Sequence, residues 1–181
     1  MPELRLALLG PPRAERDGDP IEVDTRKAIA LLAYLALTGG LQGRDSLAAL
    51  LWPDYDRDHA RAALRRTLSV LNKALSARGH AGPVRGWLRV DRTAARLDPD
   101  GVWFDVRRFR DLVAGCLEHG HPAAEVCAAC VAPLAEAVAL HRDDFLAGFS
   151  LRDSPSFDDW QFYQAESLRR ELAAALDRLT R

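Results

Sequence analysis

Residues 57–77 form the best-defined helix that can be read from this chain. Taking 100° per residue from Leu64, the side chains of Leu68, Leu71 and Leu75 lie within about 40° of it. Ala62, Arg65, Arg66, Ser69, Lys73 and Ser76 lie roughly 100° to 200° away. One face is leucine and the opposite face is basic or small, so one side must be buried and the other wet. Asp56 is a good N-cap for this helix, and Arg78-Gly79-His80 is expected to end it.

The segments before it read as a small sheet and two helices. Leu4 to Leu9 and Pro20 to Val23 are short and apolar-rich, and Gly10-Pro11-Pro12 and Asp17-Gly18-Asp19 between them are turn chemistry. From Arg26 to Leu37 apolar residues at 28, 29, 31, 32, 35 and 36 make a helical stripe, capped by Asp24-Thr25 and closed by Gly39-Gly40. Arg44 to Trp52 is a second, short helix stopped at Pro53, with Trp52 in the core. After the third helix, Val84 to Val90 and Ala95 to Leu97 flank Asp91-Arg92-Thr93-Ala94, a hairpin with its tip near Arg92. Trp52, Trp87 and Trp103 are expected to serve packing rather than base stacking. Beyond Asp98-Pro99-Asp100-Gly101 the pattern is helical again, with Val106, Phe109, Leu112 and Val113 on one stripe. A long last helix runs from about Ser156 to Thr180. Its expected apolar face is wide and holds Phe157, Trp160, Phe162, Tyr163, Leu168, Leu172, Leu176 and Leu179.

Charge divides the chain. Between Arg57 and Arg96 there are ten Lys or Arg and two acids, a local +8 in a chain whose total is -1. Residues 1–104 carry 16 basic and 13 acidic residues, and residues 105–181 carry 9 and 13, so the halves are +3 and -4. A basic helix followed by a basic hairpin is the electrostatic footprint of a winged helix on DNA, and that signal belongs to the first part alone. The expected fold is therefore α+β. Residues 1–102 form a winged helix-turn-helix with a small N-terminal sheet and a C-terminal hairpin, and an all-α domain occupies 103–181.

Six stretches in this order resemble one group of bacterial regulators. They are LRLALLG at 4–10, KAIALLAYLAL at 27–37, RDSLAALLWPD at 44–54, ARAALRRTLSVLNKAL at 60–75, WLRVDRTAARLDPDGVWFDVRRF at 87–109 and EAVALHRDDFLAGFSLRDSPSFDDWQ at 136–161. Together they are similar to the antibiotic-regulatory-protein family, which joins a response-regulator-type winged helix to a tetratricopeptide-like bacterial transcriptional activation domain. The resemblance implies a sequence-specific double-stranded DNA-binding activator. The helix at 57–77 would lie in the major groove, and the wing at 84–97 on backbone or minor groove. Carried onto matching positions, it puts DNA contacts at Arg61, Arg65, Arg66, Ser69, Asn72 and Lys73 and wing contacts at Arg89 and Arg92. Arginine can bond two edges of guanine, whereas Lys and the wing arginines mostly meet phosphate. Implied partners are DNA, RNA polymerase and a second copy in a homodimer or in tandem on direct repeats. The alternative is a protein–protein adaptor that uses the same winged helix and helical repeats without DNA.

A separate signal lies in the second part. Cys116, His119, His121, Cys127 and Cys130 fall within 15 residues, and the C-x2-C pair is spaced for one tetrahedral zinc. Cys116, His119, Cys127 and Cys130 make one candidate structural site, with His121 competing for the fourth position. The competing reading treats the cysteines as small buried hydrophobes in an Ala-rich helical stretch. A redox C-x-x-C would want a helix N-terminus in a βαβ setting, which the pattern lacks.

No enzyme is expected and no cofactor is required. Gly39-Gly40 follows a helix rather than a strand, no Gly-x-Ser-x-Gly occurs, and the carboxylates of Asp54, Asp56, Asp98, Asp100, Asp143, Asp144 and Asp153 sit in caps and turns. No apolar run approaches the ~20 residues of a membrane span, and Met1-Pro2-Glu3 lacks a basic n-region. Three Cys, an odd number, make no disulfide framework. The expected location is the cytoplasm. The last helix ends with a repeat layer uncovered, so a longer polypeptide is expected.

Overall fold

The computed structural model describes residues 4–23, 25–76, 86–122 and 125–180. They fall into two compact units, the first holding residues 13–103 with 1–6 and 150–160, the second holding 104–149 with 7–12 and 161–181. Two short segments are thus exchanged across the linear cut expected after residue 102. No helix among the described residues is long and apolar enough to cross a membrane.

In the first unit, β1 (Leu4–Ala7) buries Leu4 and Leu6 and exposes Arg5, the alternation a half-buried strand requires. β2 (Arg13–Arg16) and β3 (Asp19–Pro20) pair as a hairpin in the register Arg16↔Asp19. Its two-residue turn, Asp17-Gly18, has φ of 52° and 90°, the left-handed pair that Asp-Gly favours. Of the strand expected from Pro20 to Val23 only Pro20 is strand, in β3, with the Ile21 amide still donating to the Ala14 carbonyl at 2.8 Å; its partner Arg13–Arg16 carries no strand pattern in the sequence. With β7 (Val102–Phe104) these strands make a sheet of order β3-β2-β1-β7.

α1 (Arg26–Thr38) starts at Thr25, whose hydroxyl accepts from the Ala28 amide at 3.2 Å, and stops at Gly39, with φ 64°. It buries Ala28, Leu31, Leu32 and Leu35. β4 (Gln42–Gly43) leads into α2 (Arg44–Leu51), which ends at the buried Trp52. α3 (Arg57–Leu75) follows the turn at 53–56, and Asp56 caps it by accepting from the Asp58 and His59 amides at 3.1 Å. Ala60, Leu64, Leu68, Leu71 and Leu75 are its buried residues. β5 (Leu88–Val90) and β6 (Ala94–Leu97) pair antiparallel in the register Arg89↔Arg96, and β4 completes the sheet β4-β6-β5. The helix end expected at Arg78-Gly79-His80 and the strand start at Val84 lie outside the described residues.

In the second unit, α4 (Asp105–Leu117) buries Val106, Phe109, Leu112 and Cys116 against α5 (Ala128–Leu140), which contributes Cys130, Leu134 and Ala137. α6 (Pro155–Leu179) has residues 155–160 in the first unit and the rest in the second. The wide apolar face expected of α6 is only partly buried. Phe157, Ala165, Leu168 and Ala175 are inside, whereas Phe162, Tyr163 and Leu176 are exposed.

Candidate nucleic-acid interface and cysteine–histidine cluster

Burial of the leucine stripe fixes the rotation of α3 and so decides which side chains face water. Arg61, Arg65, Arg66, Ser69, Asn72 and Lys73 are all exposed. Their charges are not equally free. Asp45 in the first turn of α2 accepts from Arg61 at 2.5 and 3.0 Å and from Arg57 at 2.8 Å. Those two guanidiniums hold the Asp45 carboxyl below the usual range, Arg57 first and then Arg61. Arg65, Arg66 and Lys73 have no ion-pair partner among the described residues. The positive face therefore lies toward the second half of α3, with Ser69 and Asn72 between the cations.

The C-terminus of α3 is tied down by a residue that carried no sequence signal. Arg16 of β2 donates to the carbonyls of Ala74 and Ser76 at 3.3 and 3.1 Å, satisfying orphan carbonyls and placing a cation at the negative end of the helix. Ser76 donates its hydroxyl to the Asn72 carbonyl at 2.6 Å.

The hairpin turn is organised by Asp91, whose carboxylate accepts from the amides of Thr93 and Ala94 at 2.7 and 2.8 Å. These bonds pull its pKa down, Thr93 foremost. Arg44 joins this turn to α2: its amide donates to the Thr93 carbonyl at 2.8 Å and its guanidinium to the Asp91 carbonyl at 3.1 Å. Arg92 stands exposed at the tip. Arg89 is exposed but held by Asp98, with 2.7 Å from Nε to Oδ2. Trp52 and Trp87 are buried, and Trp103 lies under the Arg5 guanidinium, 4.2 Å from the ring centroid.

In the second unit the Cys and His side chains converge, but not as the first candidate set. His119, His121, Cys127 and Cys130 bring one donor atom each within 4.8 Å of one another. Cys116 is replaced by His121. It continues the stripe Phe109, Leu112, Cys116 on the buried face of α4, and its sulfur points to the Cys130 carbonyl at 3.8 Å. His119 and His121 follow the end of α4 and are free to turn toward α5. Cys127 is the N-cap of α5, so the pair does stand at a helix N-terminus, although no βαβ unit surrounds it among the described residues. Its thiol is pulled down to about 6, chiefly by His119 and then by Cys130, whereas burial pushes the Cys130 thiol up.

No protein-family model matches this chain, and no curated protein matches it either. Among solved structures it is similar to Mycobacterium tuberculosis EmbR, solved in complex with a low-affinity phosphopeptide, at a TM-score of 0.70 and 29% identity. The likeness covers 94% of this chain and 44% of EmbR, so the chain spans less than half the length of that protein. The mixed α+β arrangement of helices and small sheets is thus an EmbR-like fold.

Proposed function

We propose that this chain is the DNA-reading part of a bacterial transcriptional regulator of the antibiotic-regulatory-protein type. In this reading α1, α2, α3 and the β5–β6 hairpin form a winged helix on double-stranded DNA. α3 occupies the major groove and the hairpin follows the backbone or minor groove. One observation carries it: α3 buries a full leucine face while Arg65, Arg66, Ser69, Asn72 and Lys73 share the exposed one. Arg65 and Arg66 read bases, and Lys73 and Arg92 anchor to phosphate. Asp45 and Asp98 hold Arg61 and Arg89 until phosphate competes for them. The fold shared with EmbR supports this assignment. The helices of the second unit belong to a tetratricopeptide-like activation domain that meets RNA polymerase, and the protein binds as a dimer or in tandem on direct repeats in the cytoplasm.

Fluorescence anisotropy on mixed genomic duplex DNA over a salt series tests this. The wild-type chain should lose affinity steeply with salt. An Arg65→Ala, Arg66→Ala, Lys73→Ala variant with unchanged circular dichroism should bind far more weakly, with a log–log salt slope shallower by about 1 from the lost Lys73 phosphate contact. Wild-type protein that ignores duplex DNA even at low salt would make the basic face a protein-docking surface and the chain an adaptor.

A further inference from the structure

We propose that His119, His121, Cys127 and Cys130 hold a structural zinc ion that fastens the loop after α4 to the N-terminus of α5. Zinc–sulfur bonds of about 2.3 Å and zinc–nitrogen bonds of about 2.0–2.1 Å set the edges of a tetrahedral site. Those edges are about 3.8 Å for S···S, 3.6 Å for S···N and 3.4 Å for N···N, by the geometry of the same bond lengths. Here Cys127 and Cys130 sulfurs are 3.5 Å apart. His119 Nδ1 is 3.1 Å from the Cys130 sulfur and 3.4 Å from that of Cys127, and His121 Nε2 is 3.2 Å from the Cys130 sulfur. A widening of a few tenths of an ångström on these four edges, with His121 drawing in toward His119 and the Cys127 sulfur from separations of up to 4.8 Å, makes room for the ion.

Three further features of these residues suit a metal. His121 Nδ1 lies 3.0 Å from the Pro122 carbonyl oxygen and donates its hydrogen there, which leaves the Nε2 lone pair facing the sulfurs. Ligating histidines are usually oriented by such a bond to a backbone carbonyl. Gly120 has φ 76°, in the left-handed region that other L residues rarely adopt, and so suits the turn that brings the histidines on either side to one point. Two thiolates balance the dication with both imidazoles neutral, which allows the fully buried Cys130 to be a ligand. Thiolate and imidazole together select zinc among common divalent ions, and four protein ligands leave no open position for catalysis.

The test uses the intact chain, reduced and supplied with zinc, then freed of excess metal. Elemental analysis should find about one equivalent per chain, as a closed four-ligand site implies. Cobalt(II) should give the visible bands of a tetrahedral thiolate complex. Cys127→Ser and His121→Ala should each abolish stoichiometric metal while helical circular dichroism persists, and Cys116→Ala should retain it. Zinc should also slow alkylation of Cys127 by iodoacetamide by about tenfold or more, because the free thiolate is the nucleophile. Three results overturn the proposal: wild-type protein retaining no zinc, metal lost from Cys116→Ala but kept by His121→Ala, or a Cys127–Cys130 disulfide forming readily in zinc-loaded protein. None of these readouts depends on DNA binding.

Discussion

Asp105 shows how a single carboxylate can organise its neighbourhood. It is buried at the start of α4 and accepts from the amides of Leu8, Leu9 and Val106 at 2.7, 2.8 and 2.9 Å, while burial pushes its pKa up. Asp105→Ala strands two distant backbone donors and should cost about 2–4 kcal/mol in urea unfolding, with Asp105→Asn costing less because one acceptor remains. Asp45 acts by charge instead. Asp45→Asn frees Arg57 and Arg61, so duplex affinity at moderate salt should rise and the salt slope steepen by about 1–2, seen in the same anisotropy series. His141 supplies a pH dependence. Its ring stands edge-on to Phe109 at 4.6 Å, and burial pushes its pKa below 6.5 against the opposing pull of Glu171 and Asp144. The unfolded chain takes up this proton more readily than the folded one, so stability is present above about pH 6.5 and falls as pH drops through the lowered folded value. His141→Gln should show the smaller loss between pH 7.5 and 5.5 in urea midpoints measured with a metal chelator, and equal losses would clear His141 of the effect.

At the scale of elements, legibility followed burial. α1, α3 and α4 could be read because each buries one stripe and solvates the other, and caps such as Thr25 and Asp56 sit where the periodicity begins. Leu71→Ala, at a fully buried position of α3, should cost about 2–5 kcal/mol, measured by thermal or urea unfolding. β2 was illegible: Arg13–Arg16 has no apolar alternation, since its residues are exposed or half-buried and pairing alone makes them a strand. The same applies to β4, two residues recruited by β6 through Gln42↔Ala95. α6 misled for the opposite reason, since its aromatic residues include Phe162 and Tyr163, which stay in water.

Considered whole, the chain does not fold along the cut its composition suggests. Residues 150–160 belong to the first unit, where Phe157 is fully buried and Trp160 lies 5.0 Å from Tyr34. Lys27 of α1 bonds the Leu51 carbonyl and the Ser154 hydroxyl and pairs with Asp153 at 2.9 Å, while Ser154 donates to the same carbonyl at 2.7 Å. A fragment ending at residue 102 should therefore unfold at clearly lower temperature than the first unit of the whole chain, losing at least the roughly 3–5 kcal/mol of one buried Phe. The amino-acid sequence by itself determined the helices with strong periodicity, the basic face of α3, the Asp-Gly and Asp91 turns, and the convergence of Cys and His near 116–130, because spacing and charge are local properties. Only the tertiary structure decided that Asp45 and Asp98 hold Arg61 and Arg89, that Arg16 closes α3, that His121 rather than Cys116 completes the cluster, and that 150–160 returns to the first unit. Each of these depends on which distant groups share a buried or hydrogen-bonded surface, and residue spacing along the chain carries no record of that.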